Sequence, residues 1–310
     1  YQPVLAQIKQ RRDELHLSDW GVLQLIQHQA KGLFKNENHQ QLYRWFMLNK
    51  LGYRISAGMD KRRLVLLFAS EQTVYGQSFF QLQGQRFYVL DKEVSGALQL
   101  PSKPYPTALR AVDLRFGNSL TTSTNIESRT ITVKGRTYSI ASLASRNDYF
   151  DSYPQLDLKY YFDAPISAVT AASLREQLLP ELKGKTQLQQ VNWLLGWVQL
   201  GFTYKLDHEQ FGGENYLHPE ENFRFPGNDC EDRSFLFSWL VRELVGLSVI
   251  GISYPGHVAT GIAFDPKMAP KQGKPFYHRG RAYWVADPTY IGAKAGRIMP
   301  QYRKVAPTVL

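Results

Sequence analysis

The sequence predicts an α+β protein whose helical and strand-forming blocks follow one another instead of alternating. Three observations lead there. The first fifty residues carry helix caps and helical apolar spacing. Residues 53–163 hold short runs of aromatic and β-branched side chains. Further on, a helical apolar run through Val245 is followed by three strand candidates.

In the first block, Ser18 and Asp19 suit a helix N-cap before Trp20, Val22, Leu23, Leu25 and Ile26. A second helix is expected after 36–38, with Leu42, Trp45, Phe46 and Leu48 on its apolar face and Gly52 as its stop. The second block predicts strands at 63–69, 78–83 and 86–90, with Gly84 in a turn. Segments 130–133 and 137–140 flank Lys134-Gly135 and read as a hairpin. Segment 156–162 reads as a further strand. Pro101, Pro104 and Pro106 mark a loop.

The third block begins near Ala164-Pro165. A helix at 173–179 is expected to stop at or soon after Pro180. Thr186 suits the cap of the next helix, where Leu188, Val191, Leu194, Leu195 and Val198 share one stripe. Trp193 and Trp197 lie beside that stripe and read as core. A long loop, 207–228, follows. Two domains are therefore expected: a helical and β-rich domain at 1–163 and a second at 164–310.

Composition bounds the partners. Of 310 residues, 43% are hydrophobic and 21% charged, as in ordinary globular proteins. No apolar run reaches the length of a membrane span. The net charge of +10 favours anionic surroundings. The basic residues are scattered, however, with Lys61-Arg62-Arg63 and the loop 271–281 the densest groups. No nucleic-acid motif accompanies them, so no specific nucleic-acid partner is expected. The chain begins at Tyr1 and not at methionine. The chain is therefore either processed or trimmed, and the leaning is to an exported protein, periplasmic or at the cell surface, whose signal or anchor is missing from this sequence.

The single cysteine excludes an internal disulfide and stands in an unusual setting. Pro226-Gly227-Asn228-Asp229 is turn chemistry, and Asn228 or Asp229 can cap a helix. Phe235, Leu236, Trp239, Leu240 and Val245 have helical spacing. Cys230 is thus in a first helical turn, where unsatisfied N–H groups lower a thiol's pKa and can receive an oxyanion. Glu231 and Asp232 oppose that effect at the sulfur. Downstream, 247–254 is a strand candidate broken by Pro255-Gly256. His257 opens the next strand, and Asp287 ends the strand at 281–286. Antiparallel neighbours would place His257 beside Asp287, so that the carboxylate holds the imidazole and the imidazole faces the thiol. His208 and His218 stand among Glu209, Glu214, Glu220 and Glu221, with no zinc spacing, in what reads as a cleft-lining loop. His278 reads as a surface residue.

Asn-Asp-Cys-Glu-Asp-Arg at 228–233, Gly-His-Val-Ala-Thr-Gly at 256–261 and Tyr-Trp-Val-Ala-Asp-Pro-Thr-Tyr at 283–290 together resemble the transglutaminase-like superfamily of papain-type thiol enzymes. Leu-Gly-Phe-Thr-Tyr at 200–204 also fits. The resemblance covers about 165–310. It departs in Asn228, which separates Gly227 from Asp229, and in Asp232 and Arg233, where aromatic or small residues are common. It implies a papain-like core with Cys230, His257 and Asp287 as catalytic residues, no cofactor, no metal, and a peptide or protein substrate attacked at an amide bond. The implied chemistry is a thiolate–imidazolium pair, with the Cys230 N–H and an upstream donor in the oxyanion hole. Trp193, Trp197 and Tyr216 are candidates for that donor. A bacterial cysteine peptidase or amidase is the leading expectation. A cross-linking transglutaminase, and a catalytically idle binding or assembly module, are the alternatives. Residues 1–163 would serve as a working module or a gate.

Overall fold

The computed structural model describes residues 1–82, 84–90, 94, 98–100, 110–117 and 125–310. The predicted Pro101–Pro106 loop lies outside the described residues. Helices and sheets both contribute, as the α+β expectation requires. The chain divides into two compact units, residues 1–121 with 153–157, and residues 122–152 with 158–310. The boundary expected at 163/164 falls inside the second unit.

The first unit opens with helices α1 (Gln2–Glu14), α2 (Asp19–Leu33) and α3 (Glu37–Lys50). Ser18 caps α2 by accepting from the Gly21 N–H, and Asn36 caps α3 by accepting from the His39 N–H. Trp20, Val22, Leu23 and Ile26 are buried, as their spacing predicts. On α3 the buried face is Met47 and Leu48, whereas Leu42 is exposed, so the inward stripe is rotated from the expected one. Gly52, at φ 92°, donates its N–H to the Asn49 carbonyl and ends the helix. Strands β1 (Ile55–Asp60), β2 (Arg63–Ala69), β4 (Phe79–Leu82) and β5 (Gln85–Val89) form an antiparallel sheet in the order β1-β2-β5-β4. Strand β3 (Val74–Tyr75) pairs with β8 (Gln155–Leu156). Among the described residues, Asp19 pins this unit's segments. It accepts from the Tyr53 hydroxyl at 2.7 Å, from Arg110 at 3.0 Å and from the Asp113 N–H at 2.9 Å.

The second unit contains the hairpin β6 (Ile126–Val133) and β7 (Arg136–Leu143), turned at Lys134 and Gly135, both at positive φ. Short helices α4 (Ala144–Asp151) and α5 (Leu158–Phe162) follow. The strand expected at 156–162 is thus mostly α5. Its Phe162 seats against Gly251, where a Cβ would come within 2.2 Å of the ring. Packing onto a neighbouring strand, rather than local propensity, fixes this segment as helix.

Helix α6 (Ala168–Leu182) is capped by Ser167, so it begins before the expected 173, and it ends soon after Pro180, as expected. Helix α7 (Gln187–Gly201) begins at a capping box between Thr186 and Gln189 and buries Val191, Leu194, Leu195, Trp197 and Val198. After β9 (Thr203–Tyr204), α8 (Asp207–Gln210) and β10 (Gly227–Asn228) comes α9 (Cys230–Val245), closed by Gly246 in the left-handed region. An antiparallel sheet then assembles in the order β13-β14-β12-β11-β15, from β11 (Ser248–Tyr254), β12 (His257–Ala263), β13 (Phe276–His278), β14 (Arg281–Ala286) and β15 (Thr308–Val309). Leu194, Leu195 and Val198 of α7 share one core with Leu236, Phe237, Leu240 and Val241 of α9 and Val249 and Ile262 of the sheet. No helix among the described residues is long and apolar enough to cross a membrane.

The predicted acidic loop is partly interior, which corrects its reading as a cleft lining. Glu220 is fully buried, with Oε2 3.0 Å from Arg146 Nε. Its carboxylate also accepts from the Ser167 and Thr170 hydroxyls at 2.7 and 2.6 Å and from the Ser167 N–H at 2.8 Å. His218 is buried under Phe150 and Tyr161 and bonds Glu221 through Nδ1 at 3.0 Å. Burial pushes its imidazole well below the ordinary value, so this is a hydrogen bond between a neutral ring and a carboxyl group, not an ion pair.

Arg146→Met would leave the Glu220 carboxylate buried without its counter-charge. The expected loss is about 3–5 kcal/mol from the second unit's stability. Urea unfolding followed by tryptophan fluorescence checks this; a loss below about 1 kcal/mol contradicts the pairing.

Candidate functional site

Cys230 is the first residue of α9, on a segment held tightly from both sides. Before it, Gly227 and Asn228 pair in parallel with Thr203 and Tyr204. A Cβ on Gly227 would fall 2.4 Å from the Lys205 Cβ, so only glycine permits this approach. The Asn228 side chain donates to Asn222 at 2.6 Å and accepts from Arg233 Nε at 2.8 Å. Arg233 Nη2 donates to the Phe202 carbonyl at 2.8 Å. Asp232 accepts from the Asp229 N–H at 3.3 Å and from the Leu217 N–H at 2.8 Å. Asp232 and Arg233, where the chain departs from the resembled pattern, are thus buried supports of the turn that carries the thiol.

His257 opens β12, and Asp287 follows the last residue of β14. The two strands are antiparallel neighbours, with Thr260 opposite Ala286. His257 Nε2 lies 2.8 Å from Asp287 Oδ2. Asp287 Oδ1 accepts from the Thr289 N–H and hydroxyl at 2.9 and 2.6 Å and from the Tyr290 N–H at 3.2 Å. With Oδ1 occupied by these three donors, Oδ2 is the oxygen left for the His257 ring. A neutral His257 that donates from Nε2 to this carboxylate has Nδ1 as its remaining acceptor. The loop after Asp287 is stapled by Gln199 of α7, whose side-chain amide donates to the Asp287 and Tyr290 carbonyls at 3.0 and 2.8 Å and accepts from the Gly292 N–H at 3.1 Å.

The first turn of α9 meets the start of β12. The Val258 backbone lies close enough to the Cys230 thiol for its N–H to favour the thiolate, against the larger raising effects. The Ser234 hydroxyl lies 2.7 Å from the Cys230 carbonyl and 3.4 Å from the Val258 carbonyl. The thiol is thus next to the residue that follows His257. Its own hydrogen bond, however, goes to Glu231 Oε2 at 2.9 Å. Among the described residues no hydrogen bond joins the sulfur to the His257 ring. Burial first, then the charge and hydrogen bond of Glu231, push the thiol above its ordinary pKa. This corrects the expectation of a thiol acidified by its helix start: the resting group is a neutral S–H.

The thiol borders a dense acidic cluster. Burial, then the charge of Glu231, pushes Asp229 up to about 8, and burial pushes Asp207 up to about 7. Glu231 and Asp232 are raised as well, chiefly by burial. Oxygens of Asp207, Glu214 and Glu231 lie within 4.8 Å of one another, and so do those of Asp207, Asp229 and Asp232. A hard cation uses carboxylates at such spacing, so these are the residues that could hold a metal.

Of the suggested oxyanion donors, Trp197 is 1% exposed and sealed in the core between Tyr138 and Phe202. Trp193 packs against the same core, and Tyr216 stands edge-on to Tyr161. Sequence reasoning passed over Tyr204. It is half-exposed opposite Asn228, with the Arg233 guanidinium 5.4 Å from its ring. Burial first, then the charges of Cys230, Asp229 and Glu231, raise its phenol, so the hydroxyl stays protonated. The Leu-Gly-Phe-Thr-Tyr segment was the only signal for it.

Compared with known proteins, the chain matches no family profile, no curated protein and no solved structure.

Two outcomes follow from this electrostatics. Glu231→Gln removes the charge that raises the thiol. Iodoacetamide labelling of Cys230 at neutral pH should then quicken by about tenfold for each unit the pKa falls. An unchanged or slower rate contradicts the assignment. Separately, Asp207, Asp229 and Glu221 (the last raised to about 8, chiefly by burial) hold protons in the folded chain that the unfolded chain releases near about pH 4. The folded state therefore binds more protons between about pH 4 and 8, and stability falls as pH rises through that window. Urea midpoints at pH 5 and 8 should show the decline, and Asp229→Asn should flatten it. A midpoint that rises with pH contradicts the assignment.

Proposed function

We propose that the second unit is a thiol acyl-transfer enzyme with a papain-like, transglutaminase-like core, acting on amide bonds as a cysteine peptidase or amidase. One observation carries the reading. A buried His257–Asp287 pair stands on adjacent strand ends with its hydrogen bond at Nε2, and the backbone of the next residue, Val258, lies beside Cys230 and Ser234 in the first turn of α9.

The chemistry follows from the neutral thiol. With a substrate carbonyl in place, the Cys230 S–H exchanges Glu231 for His257, and Nδ1 takes the proton as the S–C bond forms. The carbonyl electron pair moves onto oxygen, where the Cys230 N–H receives it. Tyr204, half-exposed and opposite Asn228 two residues before the thiol, is our candidate for the second donor. Collapse of the tetrahedral species expels the amine, which leaves with the proton from His257. Water then attacks the thioester, with His257 again as base, and releases the acid. Asp287 stabilises the imidazolium formed at each attack.

The Glu231 hydrogen bond favours a second reading, in which the thiol is idle and the unit is a binding or assembly module. Turnover on a fluorogenic peptide-amide library, with and without a dansylated amine, separates these. The expected result is amine release without incorporation of the dansylated amine, lowered by about 10³-fold or more in Cys230→Ala and in His257→Asn. Incorporation of the amine would make the enzyme a transglutaminase. Equal activity in Cys230→Ala overturns the proposal, and no turnover with a slowly labelled thiol favours the idle module.

A further inference from the structure

His257 has a second neighbour that the chemistry above does not use. Tyr302, in a 3-10 turn at Pro300–Tyr302, stacks on the imidazole with centroids 5.5 Å apart and planes 3° apart. The same ring stacks on Tyr254 at 4.7 Å and 15°. Its hydroxyl donates to the Pro255 carbonyl at 3.2 Å, in the turn that joins β11 to β12. Beyond Tyr302 the chain returns to the sheet, where Ile252 pairs with Val309 and the Leu310 N–H bonds the Gly251 carbonyl. Tyr302 is therefore fixed at its hydroxyl, at its ring face and through the strand that follows it.

We propose that Tyr302 is a positioning residue, an aromatic clamp that holds the His257 ring plane so that Nε2 stays on Asp287 and Nδ1 stays turned toward Cys230. Turning the imidazole out of this plane about its Cβ–Cγ bond would break the parallel contact with the Tyr302 ring. The aromatic face is also a favourable partner for the imidazolium formed during turnover, since a cation within about 6 Å of a ring centroid is attracted to it. The ring performs this role; the hydroxyl only anchors the ring.

The inference rests on His257 acting as the base of the proposed reaction, and its test reads the ring directly. In the full chain labelled with ¹⁵N-histidine, long-range ¹H–¹⁵N correlations, assigned against His257→Asn, should show His257 as the single Nε2-protonated tautomer. Tyr302→Phe should keep that signature. Tyr302→Ala, and Tyr302→Leu, which keeps bulk without a π face, should give averaged tautomers. In turnover assays the same two variants should lower kcat by about tenfold or more with KM little changed, and Tyr302→Phe should restore it. An unaltered tautomer in a folded Tyr302→Leu protein overturns the proposal. So does a Tyr302→Phe variant that behaves like Tyr302→Leu. If the tautomer responds as expected in a protein that turns over no peptide amide, the clamp stands and the acyl-transfer reading falls.

Discussion

The hydrogen bond between His257 Nε2 and Asp287 Oδ2 is the interaction on which the site depends. At 2.8 Å, with the carboxylate's other oxygen taken by Thr289 and Tyr290, it holds the imidazole by its Nε2 edge. In the acyl-transfer reading we propose, the other ring nitrogen, Nδ1, is the one that takes the proton from the thiol. The sheet register makes the bond possible, because the start of β12 and the end of β14 adjoin in an antiparallel pair. Gln199 and Thr260 secure the same corner, the first through the loop after Asp287 and the second through the Ala286 carbonyl.

Beneath the cysteine lies a buried polar layer that a purely apolar core would not need. Asn222, Asn228, Asp232 and Arg233 are each at most 1% exposed, and each spends its side chain on the turn before α9. Burying charges is costly unless they are paired and hydrogen-bonded. Here the arrangement fixes one geometry for the thiol-bearing turn. It also surrounds that thiol with carboxylates, and Glu231 keeps it protonated at rest. A reactive sulfur would thus be exposed as a nucleophile only when something displaces that contact.

Much of this was legible in the sequence, because local signals there are strong. Caps at Ser18 and Thr186, the Lys134-Gly135 hairpin and the helix beginning at Cys230 follow from side-chain chemistry within a few residues. His257 and Asp287 could be placed together because a turn and a strand end mark them. The misreadings of the fold share one cause, which is contact with distant chain. Residues 158–162 look like a strand but form a helix whose Phe162 fills the space above Gly251. Glu220 looks like a solvated loop residue, yet Arg146, Ser167 and Thr170 enclose it. The thiol's resting state was misjudged for another reason, the burial of the sulfur beside its own neighbour Glu231. A helix start alone argues for an acidified cysteine, and only burial together with the direction of Glu231 reverses the sign. Tyr302 is 45 positions from His257 and carries no local mark of its role.

The central claim is that His257, oriented by Asp287, makes Cys230 a nucleophile toward a bound amide-like group. The most direct measurement is irreversible labelling of the intact chain by a peptidyl fluoromethyl ketone at neutral pH, with the adduct located by peptide mass mapping. The account predicts one adduct, on Cys230, formed about 100-fold more slowly in His257→Asn. Labelling at another residue, or equal rates with and without the imidazole, would contradict it.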